Sequence, residues 1–434
     1  MKRQFPTHYG LAAIVALALT TASAAGEPDP RIATALREIS GTRIQADIAA
    51  LVGFGTRSTL SAQDPASVAA GRGIGAAREW IRGQFEQYSR DCGGCLEVRV
   101  DSYTQPPGER VATPTVISNV YAVLRGTDAG TTPRIVLVTG HYDSRNSDND
   151  DITHDAPGAN DDASGVAVSL ECARVLSRLK FPGTIIFLAV AGEEQGLYGS
   201  AYFARRASEQ QWNIEAVLND DIVGGNRSAE QDTRVVRVFS AGDNDSPSRQ
   251  LARYVAETAD QYQSAVKPLL VFRADRYLRG GDHTSFNGQG YAAVRFTEYR
   301  EDYNRQHQTV RTEGGIEYGD LPRHVDVDYV AAVARLNAAT LASIAAAPAP
   351  PSHVSILTAR LENDTTLEWQ PTANASGYEV LWRATTSPTW EHAQDVGART
   401  RVTLPLSKDN VIFAVRAVDA QGHRSLAEVP QPQG

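Results

Sequence analysis

Between residues 116 and 296 the chain alternates short apolar runs with longer stretches of helical period. Residues 116–124, 135–139, 184–190, 216–218, 235–240 and 292–296 are rich in Val, Ile and Leu and too short for helices, so they predict strands. Residues 163–179 and 248–261, lying among them, predict helices, and 327–344 predicts a last one. Upstream, 31–53 and 77–88 also read as helical; in the second, Ala77, Trp80, Ile81, Phe85 and Tyr88 share one face. Strands alternating with helices predict an α/β fold, in which helices cover both faces of a mostly parallel, mixed sheet to give three α/β/α layers.

The pattern changes after residue 345. An Ala/Pro run at 346–352 reads as an exposed linker between a body at 25–345, whose first part (about 31–90) is helical, and an all-β tail at 353–434. In the tail, residues 353–358, 366–370, 378–383, 401–404 and 412–418 alternate as strands, with Trp369, Tyr378 and Trp382 as core aromatics. Leu367-Glu-Trp369, Gly377-Tyr-Glu-Val380 and Phe413-Ala-Val-Arg-Ala-Val418 resemble a fibronectin type III domain, a small sandwich with its own core. A chain ended near Pro348 is therefore expected to fold without the tail.

At the other end, Lys2, Arg3 and His8 precede an apolar run at 11–19 and a small-residue site at Ala22-Ser23-Ala24, which together predict a signal peptide over 1–24 and export to the periplasm or the medium. The run is too short to span a membrane, and no other stretch reads as a span. Cys92-Gly-Gly-Cys95 predicts a local disulfide, while Cys172 sits in an apolar helical stretch and predicts a packing residue. A formal net charge of −9 argues against nucleic acid or an anionic membrane surface as partner.

Four acidic or histidine-bearing segments follow or adjoin the predicted strands, where open α/β sheets bind their ligands. They are His141-Tyr142-Asp143, Asn160-Asp161-Asp162, Glu193-Glu194 and Asp220-Asp221; a fifth lies at His307. A pair of divalent ions needs a carboxylate able to bridge them, histidine and carboxylate ligands on each side, and a separate base. Every part is present. Asp161 and Asp162 cannot both cap the helix that follows, which leaves one free to bridge; of Glu193 and Glu194, one can bind metal while the other takes a proton. The acidic loop Asp148, Asp150, Asp151 and Asp155 could take calcium, although it lacks the EF-hand glycine and glutamate. No HExxH, GxSxG or GKS/T motif occurs.

The order HYD, GANDDASG, GEEQGLYGS and then Asp before Ile-Val-Gly resembles the di-zinc aminopeptidases of metallopeptidase family 28, over residues 32–345. The resemblance implies a zinc-exopeptidase fold with two zinc ions: His141 and Asp221 on one, Glu194 on the other, Asp161 bridging, His307 as the last ligand, Glu193 as general base and Asp143 orienting His141. It implies cleavage at the amino end of peptides or proteins. Two places depart from the family's pattern. Asp220 and Asp221 compete for one role, and His307 lacks the family's neighbouring tyrosine, which brings His283 in Gly280-Gly-Asp-His283 forward as a rival. Two other outcomes of the same fold are a single-zinc glutaminyl cyclase and a non-catalytic binding ectodomain; the second aspartate and the Ser-Gly of GANDDASG favour the peptidase.

Overall fold

The computed structural model describes residues 26–128 and 133–434, so the leader expected over 1–24 lies outside the described residues. Eight strands form the central sheet: β1 (Leu96–Gln105), β2 (Thr115–Leu124), β3 (Arg134–His141), β4 (Thr184–Val190), β5 (Asn213–Asp220), β6 (Val235–Ser240), β7 (Lys267–Val271) and β8 (Ala293–Glu298). Their order is β1-β2-β4-β3-β5-β8-β6-β7. The central strands β4, β3, β5 and β8 run parallel, while β1 and β2 pair antiparallel at one edge and β6 meets β8 antiparallel near the other. Every residue of β4 is buried, as its unbroken apolar run requires.

Helices α1 (Pro30–Arg37), α2 (Gly41–Gly53), α3 (Pro65–Ala69), α4 (Gly73–Asp91), α5 (Ala163–Leu176), α6 (Tyr198–Glu209), α7 (Pro247–Gln261), α8 (His283–Asn287) and α9 (Val327–Ala346) complete the body. One apolar core joins α1, α2, α4, α5, α7 and α9 to one face of the sheet; a second joins Phe203 of α6 and Phe286 of α8 to the other. These are the three layers expected. The helix expected across 31–53 is broken into α1 and α2, because Ser40 caps α2 with its side chain while its N–H donates to buried Glu171. One expectation about membranes needs correction: α9 is long and apolar enough for a span, at mean hydropathy 1.3, but it is packed inside the body as a core helix.

After a hairpin of β9 (Arg311–Glu313) and β10 (Ile316–Tyr318), the tail folds as two sheets. One holds β11 (Ser352–Leu357), β12 (Thr365–Gln370), β15 (Arg401–Leu404) and β17 (Gln431–Gln433); the other holds β13 (Gly377–Ala384), β14 (His392–Gly397) and β16 (Val411–Val418). Trp369, Tyr378 and Trp382 fill the space between them with Leu367, Val380 and Phe413. The linker is not the exposed spacer expected. Ala345, Ala346 and Ala347 are buried; Gly183 N–H donates to Ala345 O and Arg134 donates to Ala347 O. The tail also docks on α7: Arg416 pairs with Glu257 at 2.6 Å, Tyr254 donates to Arg424 O, and Arg253 donates to Pro388 O. Short side chains in the linker let the two parts close together, and polar groups across the seam then find partners.

Candidate metal centre

Five segments converge at the carboxyl ends of the central strands. His141 is the last residue of β3, Asp161 precedes α5, Glu193 and Glu194 follow β4, Asp221 follows β5, and His307 lies in the loop between β8 and β9. Asp161, Glu193, Glu194, Asp221 and His307 line one cleft of about 420 Å³, and His141 lies buried behind them.

Among the described residues, two groups have the spacing to hold a cation: His141, Asp161 and Asp221, and Asp161, Glu194 and His307, with the ligand atoms of each group within 4.8 Å of one another. Asp161 belongs to both. Its Oδ1 lies 3.1 Å from His141 Nε2, and its Oδ2 lies 2.9 Å from His307 Nε2. Asp221 Oδ1 is 3.8 Å from His141 Nε2, and Glu194 Oε1 is 3.1 Å from His307 Nε2. His141 Nε2 and Glu194 Oε1 are buried and make no hydrogen bond among the described residues. Such atoms are rare in folded proteins, and a cation between imidazole nitrogens and carboxylate oxygens would satisfy both. Two imidazoles and three carboxylates suit a zinc-like divalent ion.

The supporting contacts explain why these side chains stay in place. Asp161 and Asp162 are joined by a cis peptide. Asp162 caps α5 by accepting from Gly165 N–H at 2.8 Å, and its other oxygen accepts from His141 N–H. The His141 ring donates through Nδ1 to the carbonyl of Asp143 at 3.1 Å, which leaves Nε2 facing the other ligands. The Asp143 carboxylate stands 3.6 Å from the ring and also accepts from the N–H groups of Glu193 and Glu194 and from the Thr59 hydroxyl, so Asp143 meets both the histidine and the glutamate loop.

Two choices left open by the residues have distinct structural answers. Asp220 turns away beneath α9, where it accepts from Asn337, while Asp221 faces His141. His283 is buried elsewhere and donates to Ala274 O at 2.8 Å; it belongs to neither group, whereas His307 does. In the acidic loop, Asp151 is occupied by the N–H groups of Thr153 and His154 and by Asn146, and the loop supplies no member of either cation group.

Four supporting residues went unread in the sequence. Asp320 accepts from the N–H groups of Asn160 and Asp161, and Gln306 donates to Asp161 Oδ2 at 3.0 Å. Gln306 and His307 both reach that oxygen, helped by a left-handed backbone at His307 (φ 55°) that turns consecutive side chains to one side. Fully buried Arg57 donates to four carbonyls, of Leu51, Tyr142, Pro157 and Gly158, and so ties the loop after β3 to the start of α5. Arg295 of β8 lies 2.9 Å from Asp221. None carries a local motif; Gln306 alone had a signal, its place beside a candidate ligand.

The electrostatics of the centre follow from crowding. Burial opposes a proton on His307, but Glu194 and Asp161 outweigh it and lift the imidazole to about 10. Burial opposes a proton on His141 too, but the neighbouring carboxylates of Asp143, Asp161 and Asp221 outweigh it and raise the imidazole. Burial, then the charges of Asp221 and Glu194, push the Glu193 carboxyl well up despite the opposing pull of His141. Protonated histidines among carboxylates mark a place where a divalent ion replaces protons on binding.

Residues 119–328 match the profile of Peptidase family M28. A protein of Leptosphaeria maculans named as a probable zinc metalloprotease is 45% identical over 428 residues, which cover 93% of this chain and 98% of that one. The chain belongs to peptidase family M28. Among solved structures, this M28 chain is similar to the LapA aminopeptidase of Legionella pneumophila, with TM-score 0.54 and 23% identity over 73% of this chain and 74% of that one. It is also similar to the glutaminyl cyclase of Fimbriiglobus ruber, with TM-score 0.50 and 16% identity over 70% and 95% of the two chains. At such identities the two likenesses speak for the M28 fold alone.

Proposed function

We propose that this M28 chain is an exported zinc aminopeptidase that holds two ions and removes residues from the amino end of peptides. The observation that carries the reading is Asp161, which offers one carboxylate oxygen to the His141 group and the other to the His307 group. His141 and Asp221 would hold one ion, Glu194 and His307 the other, and Asp161 both. Zinc supplies Lewis acidity toward a peptide carbonyl and toward water.

The protein's own groups account for the proton movements. Glu193, on the cleft wall and outside both ligand groups, takes a proton from the attacking water. The water oxygen bonds to the scissile carbonyl carbon, the C–N bond breaks, and Glu193 returns the proton to the leaving amine. Asp143 keeps Glu193 in place by accepting from its backbone N–H. Export is supported by the predicted leader and by the disulfide that joins Cys92 and Cys95. The tail strands remain readable as a fibronectin type III-like module.

Metal content and substrate choice together test the proposal. Purified protein should hold two zinc ions, release the first residue from free peptides and spare amino-blocked ones. Glu193→Gln should keep the zinc while turnover falls by at least ~10²-fold, the usual worth of a positioned acid–base group. One zinc with cyclisation of amino-terminal Gln would indicate the cyclase instead, and no zinc a binding domain.

A further inference from the structure

The carboxylates and the histidine that line the cleft belong to the metal centre and its base; every other charged side chain on its wall is an arginine. Two of these, Arg276 and Arg279, lie on the segment before α8 and pair with Glu301. The Glu301 carboxylate is oversubscribed. Arg237 takes its Oε1 at 3.0 Å, while Arg276 and Arg279 share its Oε2 at 2.9 and 2.7 Å. Behind them, buried Arg295 spans Asp275 and Asp221, and its Nε and Nη2 make no hydrogen bond among the described residues. Four guanidiniums therefore face two carboxylates, Glu301 and Asp275, once Asp221 serves as a metal ligand. Surplus positive charge in a partly buried wall is costly unless something negative joins it.

Only one of the four has donors to spare on the cleft. Arg276 is engaged on three sides, by Asp275, Glu301 and Gly280 O. Arg237 and Arg295 do not line the cleft. Arg279 does; its side chain is 31% exposed, and Nη1 to Glu301 is its one hydrogen bond among the described residues. Its remaining N–H groups can form the bidentate fork that a carboxylate fits. Arg110 and Arg145 also border the cleft, but they reach it from loops where water can satisfy them: Arg110 is exposed, and each makes a single backbone contact.

We infer that this wall is an acidic subsite, in which Arg279, backed by Arg276 and Arg295, receives the carboxylate of a Glu or Asp side chain at the amino-terminal position of the substrate. The inference rests on the aminopeptidase reading, under which the first residue's free amino group lies at the metal carboxylates and its side chain reaches the adjoining wall. A small cleft with one under-committed guanidinium suits a single acidic residue better than an extended acidic segment.

The test compares zinc-loaded full-length enzyme on Glu-, Asp- and Leu-p-nitroanilide. Wild type should favour the acidic substrates in kcat/KM, and Arg279→Gln should lower the Glu-to-Leu ratio by roughly ten- to a hundredfold, the worth of a hydrogen bond to a charged group. Arg234→Gln, at an exposed position outside the cleft, should leave the ratio alone. Competition by free glutamate against free leucine reads the same subsite in the wild type, should the variant fold poorly. Preference for Leu over Glu would overturn the acidic subsite and leave the aminopeptidase standing. An acidic preference that survives in Arg279→Gln would overturn the assignment to this wall in favour of Arg110 and Arg145. Cleavage of neither class by zinc-loaded enzyme would overturn both readings.

Discussion

Asp161 can face two ways because its surroundings leave it no other orientation. Asp320 holds its N–H, Gln306 takes one of its oxygens, and the neighbouring Asp162 already serves as the cap of α5. Removing a residue that faces this carboxylate should therefore have consequences unlike those of removing one that only packs nearby. His307→Ala should reduce zinc to about one ion per chain, because an imidazole lost from direct contact removes a ligand of one ion. His283→Ala should leave zinc content unchanged and cost stability, since its ring is buried and hydrogen-bonded to Ala274 O. Elemental analysis of the two purified variants decides it; zinc loss from His283→Ala with retention in His307→Ala would reverse the assignment. Four of the five candidate segments were readable in the sequence because each is short and sits beside a strand end or a helix start, whereas His307 lies mid-loop and was reached through the family resemblance. Asp320 and Arg295 were not readable. Asp320 meets Asp161 across 159 positions and Arg295 meets Asp221 only after β5 and β8 pair, so no local pattern ties either to its partner.

Among the elements, strands buried on both faces were the most legible, and β4 and β6 have the expected ends. The edge strand β1 escaped notice: only Leu96 is buried, and Glu, Arg and Asp interrupt its apolar residues because one side has no neighbour. Helix α6 was missed for a related reason, since of its twelve residues only Phe203, Ala204 and Ala207 are buried in the second core. In α2, the pattern did show a helix but concealed a polar residue in its buried face. Asp47 Oδ2 is buried without a hydrogen-bond partner among the described residues, and the carboxyl is pushed up to about 7, first by burial and then by Glu171, against the pull of Arg43 and Arg174. Its ordinary value is 3.8, so between about pH 4 and 7 the folded protein keeps a proton that the unfolded chain has released. Stability from this group therefore falls as pH rises through that window and is level above it. Asp47→Asn should flatten the slope and be more stable than wild type at pH 8 by roughly 1–3 kcal/mol, with the difference vanishing near pH 4. Denaturant unfolding at the two pH values measures it; an equal effect at both would mean that charge is not the cause.

Across the whole molecule, the division into body and tail was legible from the change of period after residue 345, but the seam was not. Nothing local announces that Arg416 of β16 will meet Glu257 of α7. Glu257 has its carboxyl raised by burial, with Arg416 of the tail pulling the other way, so ending the chain at Pro348 removes that partner and opens this face of α7 to water. The shortened chain should melt a few degrees lower, because surface that the seam buries becomes exposed, in contrast with the independence that its sequence suggests. An unchanged melting temperature on truncation would show the seam to be energetically idle. The linker leaves the body at the amino ends of β3 and β4, through Ala345 and Ala347, whereas the candidate metal ligands gather at the carboxyl ends of the same strands. Eight residues of extended chain separate those ends in β3, about 26 Å. The enzyme thus has a working front and a back by which it can be held, so a chain anchored through its tail to a cell wall or a solid support keeps its cleft turned toward the surrounding solution.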